Sequence, residues 1–95
     1  MNTLNITTPV AHVVTLELRI GEYEKTSTDL IINPSEEEAG KQALLEQCHC
    51  EIEDGAEWLD DDFQQIEDLY GEMIYTLVDV KPVSAEELEV LKKFF

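Results

Sequence analysis

Residues 51–72 run Glu51-Ile52-Glu53-Asp54-Gly55-Ala56-Glu57-Trp58-Leu59-Asp60-Asp61-Asp62-Phe63-Gln64-Gln65-Ile66-Glu67-Asp68-Leu69-Tyr70-Gly71-Glu72. How this stretch is read decides the fold. Leu59, Phe63, Ile66 and Tyr70 recur at i, i+4, i+7 and i+11, which is one face of a helix. The spacing predicts an α-helix over about Ala56–Tyr70, preceded by a loop over Glu51–Gly55. Glu57, Asp61, Asp68 and Glu72 follow similar spacing on the opposite face. A second reading of the same residues makes Glu57–Asp60 a short edge strand, with the helix starting after Asp60.

Upstream, Pro9–Ile20 alternates Val14, Leu16, Leu18 and Ile20 with Val13, Thr15, Glu17 and Arg19. Period two with β-branched residues predicts a strand. Gly21 breaks it, and Thr26–Ile32 fits a second strand, joined to the first as an antiparallel hairpin. Pro34 disfavours helix at Asn33. Ser35 followed by Glu38 has the capping-box spacing, and Glu36, Glu37 and Glu38 suit the positive end of a helix dipole. A helix over about Ser35–Cys48 follows, with Ala39, Leu44, Leu45 and Cys48 facing inward. Gly40 weakens it by roughly 1 kcal/mol relative to Ala.

Downstream, Glu72–Lys81 is an apolar, β-branched run that reads as a covered strand ended by Pro82. Ser84 and Glu87 form a second capping box. Leu88, Val90, Leu91, Phe94 and Phe95 give an apolar face to a helix from Ala85 to about Phe94, with Lys92 and Lys93 in its last turn. The expected architecture is a single α+β domain over residues 1–95. Its order is β-β-α-α-β-α, a three-stranded sheet in the order 2-1-3 with two to three helices packed mainly on one face.

Ninety-five residues with 43% apolar content support one modest core. Six Lys/Arg against 22 Asp/Glu leave a net charge of −16. Such a surface repels itself and weakens the compact state. It also repels phosphate, which argues against direct binding of nucleic acid or of anionic membranes. The residues from Met1 to Thr8 have no cationic and then apolar segment of the signal-peptide kind, and no apolar run is long enough to span a bilayer. With only Cys48 and Cys50, the expectation is a reduced, cytoplasmic protein in which the Asn5-Ile6-Thr7 sequon has no role.

Chemistry finds little footing. Cys48-His49-Cys50 offers metal-binding atoms, but zinc sites space their cysteines by two to four residues and need a fourth ligand, and His12 is the only other histidine. Asp60-Asp61-Asp62 fails the calcium-loop pattern, because Gln65 and Gly71 stand where Gly and Glu are required. There is no phosphate-binding Gly-rich loop and no nucleophile elbow. The expectations are no enzyme, no cofactor and no metal. Trp58 is weighed as an interface anchor and favoured as core.

The acids carry the functional reading. Between Glu51 and Glu72 stand ten carboxylates and no Lys or Arg. A solvated helix would mix in lysines, because like charges at i,i+4 each cost about 0.2–0.5 kcal/mol. A rigid array of carboxylates roughly 6 Å apart has spacing comparable to phosphates along a DNA strand. The candidate partner-binding residues are Glu51, Glu53, Asp54, Glu57, Asp60, Asp61, Asp68 and Glu72, extended by Glu36 and Glu37. The expected partner is a basic nucleic-acid-binding protein.

A small, strongly acidic domain without catalytic motifs resembles the phage-encoded DNA-mimic inhibitors, the anti-restriction and anti-CRISPR proteins. In size and charge it is most similar to the acidic anti-CRISPRs that block DNA recognition by type I Cascade complexes. The resemblance rests on composition and on residues 51–72, not on a motif. It implies a host-cell cytoplasmic inhibitor that competes with DNA for a CRISPR surveillance complex. The alternative is an antitoxin-like regulator or adaptor that binds a basic protein away from its nucleic-acid site.

Overall fold

A computed structural model describes residues 9–95, so the sequon at Asn5 and the stretch Met1–Thr8, read above as no signal peptide, lie outside the described residues. The elements are β1 (Ala11–Ile20), β2 (Tyr23–Ile31), α1 (Glu36–Gln47), β3 (Glu51–Ile52), β4 (Gly55–Trp58), β5 (Gln65–Asp68), β6 (Met73–Val83) and α2 (Ala85–Leu91). The class is α+β, but the expected three-stranded sheet is wrong. Six strands form one mixed sheet in the order β2-β1-β6-β5-β4-β3, and the element order is β-β-α-β-β-β-β-α. The second of the three expected helices does not exist.

β1 behaves as its alternation demands. Val14 and Leu16 are buried on the face covered by α1, while Thr15 and Glu17 point to the other, open face. A two-residue turn at Gly21-Glu22 joins it to β2, with Ile20 paired to Tyr23 and Gly21 at φ 60°. β2 thus starts three residues earlier than Thr26. β6 lies on the other side of β1, so the order of these three strands is the expected one. Pro82 does not end β6, which continues to Val83. β5 covers β6 only over Met73–Thr76. Beyond that β6 has a free side, where a missing N–H costs no ladder bond. A bulge opposite Thr15/Leu16 turns Val78 outward.

α1 is capped by Ser35, whose Oγ accepts from the Glu38 N–H at 3.3 Å. The box is half made, because the Ser35 N–H donates to Asn33 Oδ1 at 2.9 Å instead of to Glu38. Ala39, Gly40, Ala43 and Leu44 face the sheet, whereas Leu45 is exposed. Gly40 earns its place by proximity: a Cβ there would sit 3.0 Å from Leu77 Cδ2. The core joins Val14, Leu16, Ile31, Ala39, Ala43, Leu44, Ile66 and Tyr75, with Trp58 packed at its margin. The full capping box does form at Ser84 and Glu87, but α2 stops at Leu91 and buries no residue.

The predicted helix over Ala56–Tyr70 is instead strand β4, a loop, strand β5 and a turn. Its supposed inward face is disproved by exposure: Leu59, Phe63 and Tyr70 are 43%, 39% and 80% exposed, and only Ile66 is buried. Two forces outweigh the helical spacing. Acids three and four residues apart, with no cation between them, repel along a helix. Short Asp side chains and flanking glycines favour turns. Leu69, Tyr70 and Gly71 all take positive φ, as does Phe63 in the loop. Met73–Thr76 then supplies β5 with a ladder that an isolated helix would lack.

Candidate functional site

Without the helix, the single row Glu57–Asp61–Asp68–Glu72 does not exist. The acids are arranged by strands and turns in three groups.

The first group lines a cleft of about 650 Å³ between the start of α1, the β4–β5 loop and the bulged part of β6. Glu36, Glu37 and Glu38 come from the first turn of α1, Asp61 and Asp62 from the loop, and Asp79 from β6. Phe63, Leu77, Val78 and Val80 supply its apolar surface. The fold therefore brings together Glu36, Glu37 and Asp61, which sequence reasoning named, and adds Asp79, which no local pattern singles out. One cation enters the cleft. Lys41 Nζ lies 4.2 Å from the centre of the Phe63 ring, over its face. Phe63 in turn meets Trp58 edge-on, with ring centroids 4.9 Å apart. This stack fastens the loop to α1, and Trp58 serves the core more than an interface. The loop is closed by Asp60, whose Oδ1 accepts from the Gln64 N–H at 3.0 Å and the Gln65 N–H at 3.2 Å.

The second group is at the opposite ends of the same strands. Glu51, Glu53 and Asp54 are exposed around the β3–β4 turn, and Glu72 is exposed in the β5–β6 turn. The Tyr70 N–H donates to Gly55 O at 2.9 Å and ties the two turns together. Gly55 is required here: its φ is 111°, and a Cβ would meet Cys50 Sγ at 2.5 Å.

Between the groups, Glu57 on β4 stands directly opposite Glu67 on β5. Such partners have Cβ atoms ~5 Å apart, and like charges there are destabilising. Glu67, half-buried, was outside the residues picked from sequence. Ion pairs among the described residues join Arg19 to Glu24, Lys81 to Asp79 and Lys92 to Glu89, and the His49 ring contacts Asp68 at 3.2 Å. None of these engages an exposed acid of residues 51–72.

Asp68 belongs to the interior. It is fully buried, and its Oδ2 accepts from the His49 N–H at 2.7 Å and from His49 Nδ1 at 3.2 Å. Its Oδ1 accepts from the Cys50 N–H at 3.0 Å. Burial pushes this carboxyl up, but the His49 and Cys50 donors outweigh burial and hold it below its ordinary value. Asp68 therefore cannot reach a partner. Its work is to fasten the Cys48–Cys50 segment to β5.

Burial, then the charge of Asp68 and the neighbouring Cys50, push the Cys48 thiol up to about 11, so it stays protonated at neutral pH. Its Sγ donates to Leu44 O at 3.5 Å. Among the described residues, no group of three His, Cys, Asp or Glu side chains is placed to hold a metal ion. His12 is buried too, and its Nδ1 donates to Asn33 O at 2.9 Å, a core contact. Among the described residues, no helix is long and apolar enough to cross a membrane.

Compared with known proteins, the chain matches no family model, no curated protein and no solved structure.

Proposed function

We propose that this protein uses its acidic β3–β5 end and the adjoining cleft to occupy the cationic groove of a nucleic-acid-binding protein, in place of DNA. One observation carries the reading. The exposed acids of residues 51–72 ride on ordered strands and turns, and none has a Lys or Arg ion-pair partner among the described residues. A folded domain gains stability from pairing such charges, so leaving them open favours a partner that supplies the cations. The Glu57–Glu67 pair repeats the point within the sheet. The partner-contacting set is Glu36, Glu37, Glu51, Glu53, Asp54, Glu57, Asp61 and Glu72, with Asp60 half committed to its loop and Asp68 excluded by burial. The resemblance in size and charge to phage-encoded inhibitors makes a type I CRISPR surveillance complex in a host cytoplasm the target class to try first.

The test is competition. The protein, immobilised, is offered a type I surveillance complex with and without excess target DNA, across a salt series. The expected result is capture that DNA abolishes and that weakens steeply with salt, since exposed charges are screened within ~10 Å at 0.1 M. A variant carrying Glu36→Gln, Glu57→Gln, Asp61→Asn and Glu72→Gln should keep its circular dichroism spectrum and lose affinity by about tenfold or more. Capture that persists with DNA bound would replace this reading with an antitoxin-like regulator docking elsewhere. Unchanged affinity of the quadruple variant would remove these acids from the interface.

A further inference from the structure

The opposite edge of the sheet poses a separate question. Among the described residues, β2 is an outer strand of nine residues, with no proline and no bulge in its pairing with β1. The other edge is the two-residue β3. Soluble proteins usually shorten, bulge or interrupt such an edge, because its free N–H and C=O groups recruit another strand.

The backbone of β2 has a definite parity. Ile20 and Tyr23 flank a two-residue turn, so they exchange both N–H···O bonds. Counting on from Tyr23, Lys25, Ser27, Asp29 and Ile31 aim their backbone groups at β1. Glu24, Thr26, Thr28 and Leu30 aim theirs outward. An added antiparallel strand must therefore set outward-bonding residues against outward-bonding residues.

The side chains select one register among those this parity allows. Two β2 strands crossing at Ser27 place Thr26 against Thr28 and Glu24 against Leu30, all outward-bonding. The same register sets Lys25 against Asp29 on both sides of the axis, and the exposed Tyr23 opposite Ile31. Lys25 and Asp29 are then in non-hydrogen-bonded pairs, where facing side chains approach most closely. Crossing at Thr26 instead sets Lys25 against Ser27, and crossing at Thr28 sets it against Ile31. Lys25 makes no ion pair among the described residues. Among the described residues Asp29 accepts only from Gln47 Nε2, at 3.1 Å on Oδ2, which leaves its other oxygen available to a partner.

We propose that two copies of this chain pair their β2 strands antiparallel about Ser27, continuing one sheet across a two-fold axis. The contact is isologous and closes on itself. It also suits the charge distribution. The β1–β2 hairpin carries Arg19 and Lys25, two of the six basic residues, against Glu17, Glu22, Glu24 and Asp29, a smaller excess of acid than on the β3–β5 strands, which lie at the far edge of each copy. Copies that meet here repel less than they would at the β3–β5 edge, and the surface assigned above stays open. The inference does not depend on that assignment.

Sedimentation velocity of the full chain at ~0.15 M salt, across a concentration series up to about 1 mM, tests it. The expected result is a reversible dimer. Thr28→Pro removes an outward N–H without touching the β1 ladder and should leave a monomer with an unchanged circular dichroism spectrum. Lys25→Asp sets acid against acid twice and should weaken the dimer by about tenfold or more. Adding Asp29→Lys to that variant should restore it, which settles the matter even if the proline variant unfolds. A wild-type monomer throughout the series, or a dimer indifferent to Lys25→Asp, or no recovery in the swapped pair, overturns the proposal.

Discussion

β1 and β6 pair along nine registered positions, whereas β4 and β5 meet at only two. Both pairs belong to one sheet, yet they are held by different means. The long pair is secured by its ladder and by a continuous apolar face under α1, from Val14 and Leu16 to Tyr75 and Leu77. The short pair is secured at points. Asp60 closes its loop, the Trp58–Phe63–Lys41 stack clamps that loop to α1, and Asp68 anchors the other end to the His49–Cys50 backbone. The lesson is that strands crowded with like charges cannot rely on pairing length. They are held by a few buried or capped groups, and two of these groups are themselves carboxylates.

Substitutions can break this contrast in order of size. Leu16→Ala empties the centre of the long pair and should cost about 3 kcal/mol, read as a lower urea midpoint for the whole domain. Asp68→Asn should cost about 2 kcal/mol at neutral pH, because it weakens acceptance of donors that burial leaves without water. Amide exchange should rise first at His49, Cys50 and β5, sparing β1; equal loss everywhere would deny that the acidic end is separately anchored. The pH dependence has a definite sign. A carboxyl held below its unfolded value of ~3.9 contributes stability that is complete above that pH and is lost as pH falls through the lowered folded value. The gap between wild type and Asp68→Asn should therefore close in acid. Smallest is Glu67→Gln, which relieves the Glu57 contact and should stabilise by about 0.5 kcal/mol, the opposite sign from the other two.

Legibility followed the same division. β1 was readable because Val14, Leu16, Leu18 and Ile20 alternate with Val13, Thr15, Glu17 and Arg19. Both helix starts were readable because Ser35 and Ser84 cap through atoms three residues away. The four-residue strands β4 and β5 were not. Two alternations are too few to separate period 2 from period 3.6, and Leu59, Phe63, Ile66 and Tyr70 fell by accident on helical spacing. The brief alternative of a strand over Glu57–Asp60 came nearer to β4, though it too required a helix afterwards. Of the acids named from sequence, most are exposed. Nothing local distinguished Asp68, whose neighbours Glu67 and Leu69 give no sign that His49 and Cys50 wait nineteen and eighteen residues away.

The chain by itself determined its charge, its caps, its long strands and the acidic character of residues 51–72, because each is written in composition or in contacts a few residues apart. Only the tertiary structure decided which carboxylates face water and which serve the interior. It also decided that Glu36–Glu38, Asp61, Asp62 and Asp79 share one cleft. The physical reason is that a carboxylate's role depends on the donors that surround it, and for Asp68 those donors come from the segment after α1, which meets β5 only in the folded chain.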